Sequence, residues 1–228
     1  MIVRTWVAPG LLVLLLAVGA SRALAQPSEL PATVVTLSGK ADWYKRGDSK
    51  WNTVDLRNQL QVGDGIRTGP SVRAALRTVG GNAIRLAALT QVFFVPPAPG
   101  TPEPEPVRAR LDRGWLWVAV TPGTHAQAPI EVLAGPARVA VRDGGVSFRL
   151  NRDGSVLVRT HHGLAVVRGS DPAATWERSL PEPQEVLVPP SGPPAANRPL
   201  TRDMAENNWA LWNEEQDYVA YGGKQPQR

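Results

Sequence analysis

The chain has 228 residues, a formal net charge of +5 and no cysteine. The charge is mild, and the lack of cysteine excludes disulfides, a thiol nucleophile and thiolate metal sites. The basic residues are 21 Arg against 4 Lys, a bias read chiefly as high-GC codon usage.

Arg4 supplies a short positive region, Trp6 to Ala20 an apolar run, and Ala23-Leu24-Ala25 an A-x-A cleavage pattern. Residues 1–25 are therefore expected to be a signal peptide, with Gln26 opening the mature chain. The alternative is a retained anchor. Residues 5–21 form 17 uncharged positions, at the low edge of the roughly 17–25 needed to span a bilayer. Pro9-Gly10 and the small residues before Gln26 favour cleavage, and no Cys follows for lipid attachment. The expected location is periplasmic or secreted, with no stable membrane anchor after cleavage. Removing Arg4 and Arg22 leaves 23 basic against 20 acidic residues, a net +3 over 203 residues (228 − 25). That length suffices for one domain with a core, which here must hold without disulfides.

From Ala32 the sequence reads as short strands every 8 to 12 residues, with no sustained helical period before residue 200. The predicted strands are Ala32–Leu37, Ala41–Tyr44, Trp51–Val54, Ile66–Thr68, Arg73–Thr78, Ala83–Leu86 and Thr90–Val95. They continue with Arg108–Leu111, Trp115–Val120, Ile130–Leu133, Ala137–Val141, Val146–Leu150, Ser155–Arg159 and Gly163–Val167. Glycine steps such as Gly80-Gly81, Gly135-Pro136, Asp143-Gly144-Gly145, Asp153-Gly154 and His162-Gly163 read as the turns between them. The body is thus expected to be all-β.

Two segments break the pattern. Residues 95–106 hold six prolines in twelve residues and read as an exposed insertion. Residues 169–199 read as a Pro-rich linker, with one further strand at 185–188. Residues 200–221 then predict an amphipathic helix, capped by Thr201 or Asp203. Ala205, Trp209, Trp212 and Val219 fall on one face, with Tyr218 beside it. The helix is expected to dock on the β-body, with Trp209, Trp212 and Tyr218 as the residues that would instead meet a partner.

The most specific stretch is Leu60 to Leu76. Gly63-Asp64-Gly65 reads as a tight turn held by the Asp side chain, and Thr68-Gly69 closes the short strand after it. Trp43, Trp51 and Leu60 precede Val62-Gly63-Asp64-Gly65-Ile66-Arg67-Thr68-Gly69. Ser71-Val72-Arg73-Ala74-Ala75-Leu76, Ile84-Arg85-Leu86 and Thr90-Gln91-Val92 follow. This order resembles the FecR domain, an extracytoplasmic module, over roughly residues 33–168. Arg142-Asp-Gly-Gly-Val-Ser-Phe148 stands where the family usually has an Arg-Gly-Thr-x-Phe-like element, and Gly80-Gly81 where it has Asp-Gly. The Trp212-Asn213 pair resembles the C-terminal helix of exported FecR-domain proteins.

The resemblance implies a β-solenoid-like stack of short strands, with a β-sandwich as the alternative, and it does not imply an enzyme. Signalling members carry a cytoplasmic anti-sigma segment and a membrane span before this domain and a secretin-like module after it. Neither is read here, so sigma-factor regulation is not expected to carry over.

No catalytic, cofactor or metal site is expected. The histidines are His125, His161 and His162, and adjacent residues on a regular strand point to opposite faces, which disfavours shared chelation. Ser147, Ser155 and Asp143 lie near His161 only in sequence. Arg67, Arg73, Arg77 and Arg85 share one strand parity, a row that reads as a solvated face or as an anion-binding ladder. The function expected is a non-catalytic binding module for an envelope protein or an anionic envelope polymer such as peptidoglycan or polysaccharide. An extracytoplasmic sensor working with a separate transmembrane regulator is the alternative, and a cell-wall-acting enzyme or its accessory domain a more distant one. Nucleic acid is not expected as a partner.

Overall fold

The computed structural model describes residues 31–97, 106–121, 130–171, 173 and 175–221. The expected signal peptide, the centre of the Pro-rich insertion and His125 lie outside the described residues.

The all-β reading holds, with one C-terminal helix. The strands are β1 (Ala32–Leu37), β2 (Ala41–Tyr44), β3 (Asn52–Thr53), β4 (Gln59–Leu60), β5 (Gly65–Thr68), β6 (Ala74–Thr78), β7 (Ala83–Leu86) and β8 (Gln91–Val95). They continue as β9 (Val107–Val120), β10 (Ile130–Ala134), β11 (Ala137–Leu150), β12 (Val156–Gly169), β13 (Glu177–Pro181), β14 (Gln184–Val188) and β15 (Arg198–Pro199). The helix α1 runs Met204–Tyr221. All strands join one open sheet, and among the described pairings only β9–β10 is parallel. That antiparallel grammar places the chain nearer the sandwich alternative than a solenoid.

The sheet folds over on itself into two layers, because β9, β11 and β12 each serve both. The first layer runs β4-β1-β6-β7, then the second half of β9, the second half of β11, the first half of β12, and β14-β15. The second runs β3-β2-β5-β8, then the first half of β9, β10, the first half of β11, the second half of β12, and β13. Alternate residues face inward from both layers and meet in one core. Leu76, Ile84, Leu116 and Phe148 come from the first layer, and Ile66, Phe94, Leu111 and Val139 from the second. That alternation is the period of a half-buried strand.

Three pairs of predicted short strands are single long ones. Gly144 and Gly163 read as hairpin turns in sequence, yet they sit opposite each other inside the β11–β12 pair. Both have positive φ, 76° and 85°, and a Cβ on Gly144 would strike the His162 carbonyl. Glycine is required here because two strands bend sharply between layers while staying paired. A glycine at a bend and one in a turn look alike in sequence.

Within residues 169–199, β14 stands at the strand expected over 185–188; the sequence reading did not include β13, and both pair with β12. The alternating Val186 and Val188 enter the core, which outweighs the proline content.

Candidate functional site

The Leu60–Leu76 stretch forms a corner where the chain crosses between layers. Asp64 is buried, and its carboxylate accepts from the backbone N–H of Arg46 (2.8 Å) and Gln61 (2.9 Å) and from Trp43 Nε1 (3.3 Å). Gly63 has φ 97°, with the Arg46 side chain packed where a Cβ would go, while Gly65 leaves room for the Phe93 ring. Thr68 Oγ1 donates to the Ala87 carbonyl and accepts from Thr90 N–H, and Gly69 accepts from Leu89 N–H. These groups are occupied in holding the corner.

The crossing splits the arginine row. Arg67 lies on β5 in the second layer, whereas Arg77 and Arg85 lie on β6 and β7 in the first, with Arg73 just before β6. Parity fixes which side of a strand a residue faces but not which layer the strand joins. Arg67 pairs with Asp42 (2.8 Å) at a half-exposed position. Arg73 stacks over Trp209 and Trp212, Arg77 donates to the Gly81 carbonyl, and Arg85 is buried against Asp217 (2.5 Å).

The outer face of the first layer is covered by α1. Asp203 and Glu206 cap the helix reciprocally: Asp203 Oδ1 accepts from Glu206 N–H, and Glu206 Oε2 from Asp203 N–H. The buried positions of α1 are Glu206, Trp209, Ala210, Asn213 and Asp217, a helical stripe that is largely polar. Val219 is 78% exposed, so the expected apolar stripe is not the docking face throughout. Trp209 is buried, Trp212 half-buried and stacked on it, and Tyr218 exposed.

The polar stripe meets the sheet arginines one by one. Glu206 receives Arg149 Nη1 (2.6 Å) and Arg159 Nη2 (2.9 Å). Arg159 Nε also donates to Glu185 (2.7 Å), whose other oxygen takes Arg198 and Thr201. Asp217 receives Arg85 and Trp117 Nε1 (2.9 Å). Arginine hydrogen bonds hold the Glu206 and Glu185 carboxyls below their ordinary range even though burial pushes the other way. Burial pushes the Asp217 carboxyl up, against Arg85 and Trp117. An apolar cluster accompanies these contacts: Ala83, Trp117 and Ala119 from the sheet and Trp209 and Ala210 from the helix, with Ala87, Trp115 and Trp212 packed against it.

His161 and His162 point the same way, contrary to the expectation for a regular strand. His162 pairs with Gly145 and Thr160 with Val146, so His161 is an extra, bulged residue. Both rings therefore lie against Trp117, at 4.4 and 6.4 Å between centroids. The fold also brings Ser147 to His161, which sequence distance alone did not suggest. Ser147 Oγ is 2.8 Å from His161 Nε2, and His161 Nδ1 is 2.7 Å from Arg202 Nη2 and 3.5 Å from Glu214.

The pattern resembles a Ser-His-acid triad, and the tautomer of His161 decides what it can do. Arg202, always a donor, at 2.7 Å favours an accepting Nδ1 and so a hydrogen on Nε2, while Glu214 at 3.5 Å from the same nitrogen favours the reverse. In the first tautomer Nε2 donates to Ser147 and has no lone pair to take the serine proton. Burial drives the His161 imidazole down to about 4, with Arg202 adding to the fall and Glu214 opposing it. Among the described residues no group of three His, Asp or Glu side chains is placed to hold a metal ion.

Among the described residues no helix lies on the outer face of the second layer. Tyr44, Trp51 and Phe93 form a half-buried aromatic trio, with centroids 5.6 to 5.9 Å apart. Arg67 lies over Trp51 (4.5 Å) and Arg110 over Phe93 (5.2 Å). Beside them Glu131 is shared by Arg108 and Arg138, two guanidinium groups on one carboxylate. This face therefore combines stacked arginines, paired with Asp42 and Asp112, with a carboxylate shared by two more arginines.

Sequence reading singled out Arg67, Arg73, Arg77 and Arg85 but not the carboxylates that occupy the helix-covered face. Their signal was present: Glu206, Asn213 and Asp217 lie at helical spacing, following an Asp203-x-x-Glu206 capping pattern.

No family model matches the chain, and no curated protein matches it. Two crystal structures, both described as a "putative anti-sigma factor" from Parabacteroides distasonis ATCC 8503, are similar in fold. The first has a TM-score of 0.49 at 14% identity, covering 66% of this chain and 64% of its own. The second has a TM-score of 0.49 at 13% identity, covering 70% of this chain and 75% of its own. The match thus spans just under two thirds of the first structure's length.

Proposed function

We propose that the chain is a non-catalytic, exported FecR-like module that binds an anionic envelope polymer or an envelope protein through the open face of its second layer. The observation that carries this reading is the set of arginines held over aromatic rings on a face that no helix of the described residues covers. A guanidinium stacked on an aromatic ring keeps its N–H edge directed outward, suited to carboxylate or phosphate. The Arg67–Asp42 and Arg110–Asp112 pairs are 30–49% exposed at their side chains. Pairs so exposed are worth little, so an anionic ligand can take over the arginine. The test is co-sedimentation of the purified protein with peptidoglycan sacculi at low and high salt. Binding that weakens steeply with salt supports the reading; no binding, or salt-insensitive binding, overturns it.

A second reading, an extracytoplasmic sensor working with a separately encoded membrane regulator, draws support from the helix-covered face. There buried ion pairs join the helix to the sheet beside a tryptophan cluster, and the core between the layers does not include the helix.

A further inference from the structure

The face beneath α1 is built for carboxylates. Arg85 on β7, Arg149 on β11 and Arg159 on β12 approach from three strands of the first layer, and α1 delivers Glu206 and Asp217 to them, three helical turns apart. Trp209 fits beside Trp117, between the two carboxylate contacts. We propose that this face is an exchangeable receptor for an acidic helix supplied in trans by a partner protein, with α1 as the stand-in that holds it closed.

Two observations support exchange rather than permanent closure, beside a seam in which Trp115 and Trp212 pack against the Trp117–Trp209 cluster. Ion pairs that are buried give register and selectivity more than net stability, since each carboxylate loses its water in docking. Finally, the core between the layers is complete without α1: all its fully buried members come from residues 32–188. Removing the helix uncovers polar groups and an aromatic patch around Trp117 and Trp115, not the core.

The charge pattern defines the partner. It is a helix with carboxylates eleven residues apart on one face and an aromatic side chain three residues after the first. A second copy of this chain fits the same description through its own α1, and the experiment separates the two.

The test uses the full chain carrying Glu206→Lys and Asp217→Lys, which repels α1 from the arginines, and a fluorescent peptide of residues 200–221 with the natural sequence. Fluorescence anisotropy should show the peptide binding the variant at least ten-fold more tightly than the unaltered protein. A peptide carrying the same two lysine substitutions should not bind. Circular dichroism confirms that the variant keeps its strands; if it does not, Glu206→Gln with Asp217→Asn serves in its place. Failure of the natural peptide to bind a folded variant, or equal binding of both peptides, overturns the proposal. So does an unaltered protein that runs as a dimer and becomes a monomer on Glu206→Lys, because the face would then serve copies of this chain. None of these outcomes bears on binding through the open face.

Discussion

Arg159 of β12 donates to Glu206 of α1 at 2.9 Å, and both side chains are more than nine-tenths buried. This pair ties the C-terminal helix to the sheet, and Arg159 simultaneously holds Glu185 on the next strand. Replacing Arg159 with Ala leaves two buried carboxylates short of a partner. Arg149 and Arg198 still reach them, so the cost should fall near the lower end of the roughly 3–5 kcal/mol typical of a broken buried pair. Arg168→Ala removes only an exposed pair with Glu177, worth less than about 1 kcal/mol. Urea unfolding of the two variants checks the contrast; equal losses would mean that the buried pair does not hold the helix.

Acid should release the helix. The Glu185, Glu206 and Glu214 carboxyls are held below their ordinary range. Their stabilisation is present above about pH 4.5 and is lost as pH falls through the lowered values. His161, lowered from 6.5 to about 4, stays neutral in the fold. It costs stability progressively between those two values, because the unfolded chain takes up the proton first. Asp217, raised by burial, works in the opposite sense, but it is one group against four. Hydrogen exchange of the α1 amides should therefore speed up on going from pH 7 to 4, after correction for intrinsic rates. Slower corrected exchange at pH 4 would contradict this.

The Ser147–His161 contact is structural in this account. Ser147→Ala should cost about 1–3 kcal/mol by stranding a buried imidazole N–H. Nitrogen-detected NMR of the histidine ring should show the hydrogen on Nε2 at pH 7. A hydrogen on Nδ1 would restore Nε2 as a base and reopen the hydrolase question.

The bend glycines give a separate stability test. Gly144→Ala places a Cβ against the His162 carbonyl at a positive φ, so it should cost more than about 3 kcal/mol. Gly47→Ala, also at positive φ but with nothing within 4 Å, should cost about 1 kcal/mol. Thermal melting of both variants distinguishes them, and equal melting temperatures would mean that close approach at the bend is unimportant.

Much of the strand content was legible because inward Val, Ile and Leu alternate with polar residues, as at Val146, Phe148 and Leu150 around Ser147 and Arg149. What was not legible were long-range effects. A glycine such as Gly144 carries no mark telling a bend from a turn. A bulge at His161 reverses the facing of its neighbour without altering composition. The helix was found, but its docking face was assigned to the hydrophobic side, whereas Glu206 and Asp217 are buried because arginines from distant strands await them. Likewise the Arg67–Arg85 row looked continuous because strand parity is local, while the layer that each strand joins is set by pairing far along the chain.

The central claim, that the chain works by binding through its open face and not by chemistry at Ser147, is tested most directly by sacculus co-sedimentation of Trp51→Ala and Ser147→Ala side by side. Trp51→Ala removes the ring beneath Arg67 and should lose most of the binding, while folded Ser147→Ala should retain it. Full binding by Trp51→Ala, with loss or sacculus turnover that depends on Ser147, would contradict the account.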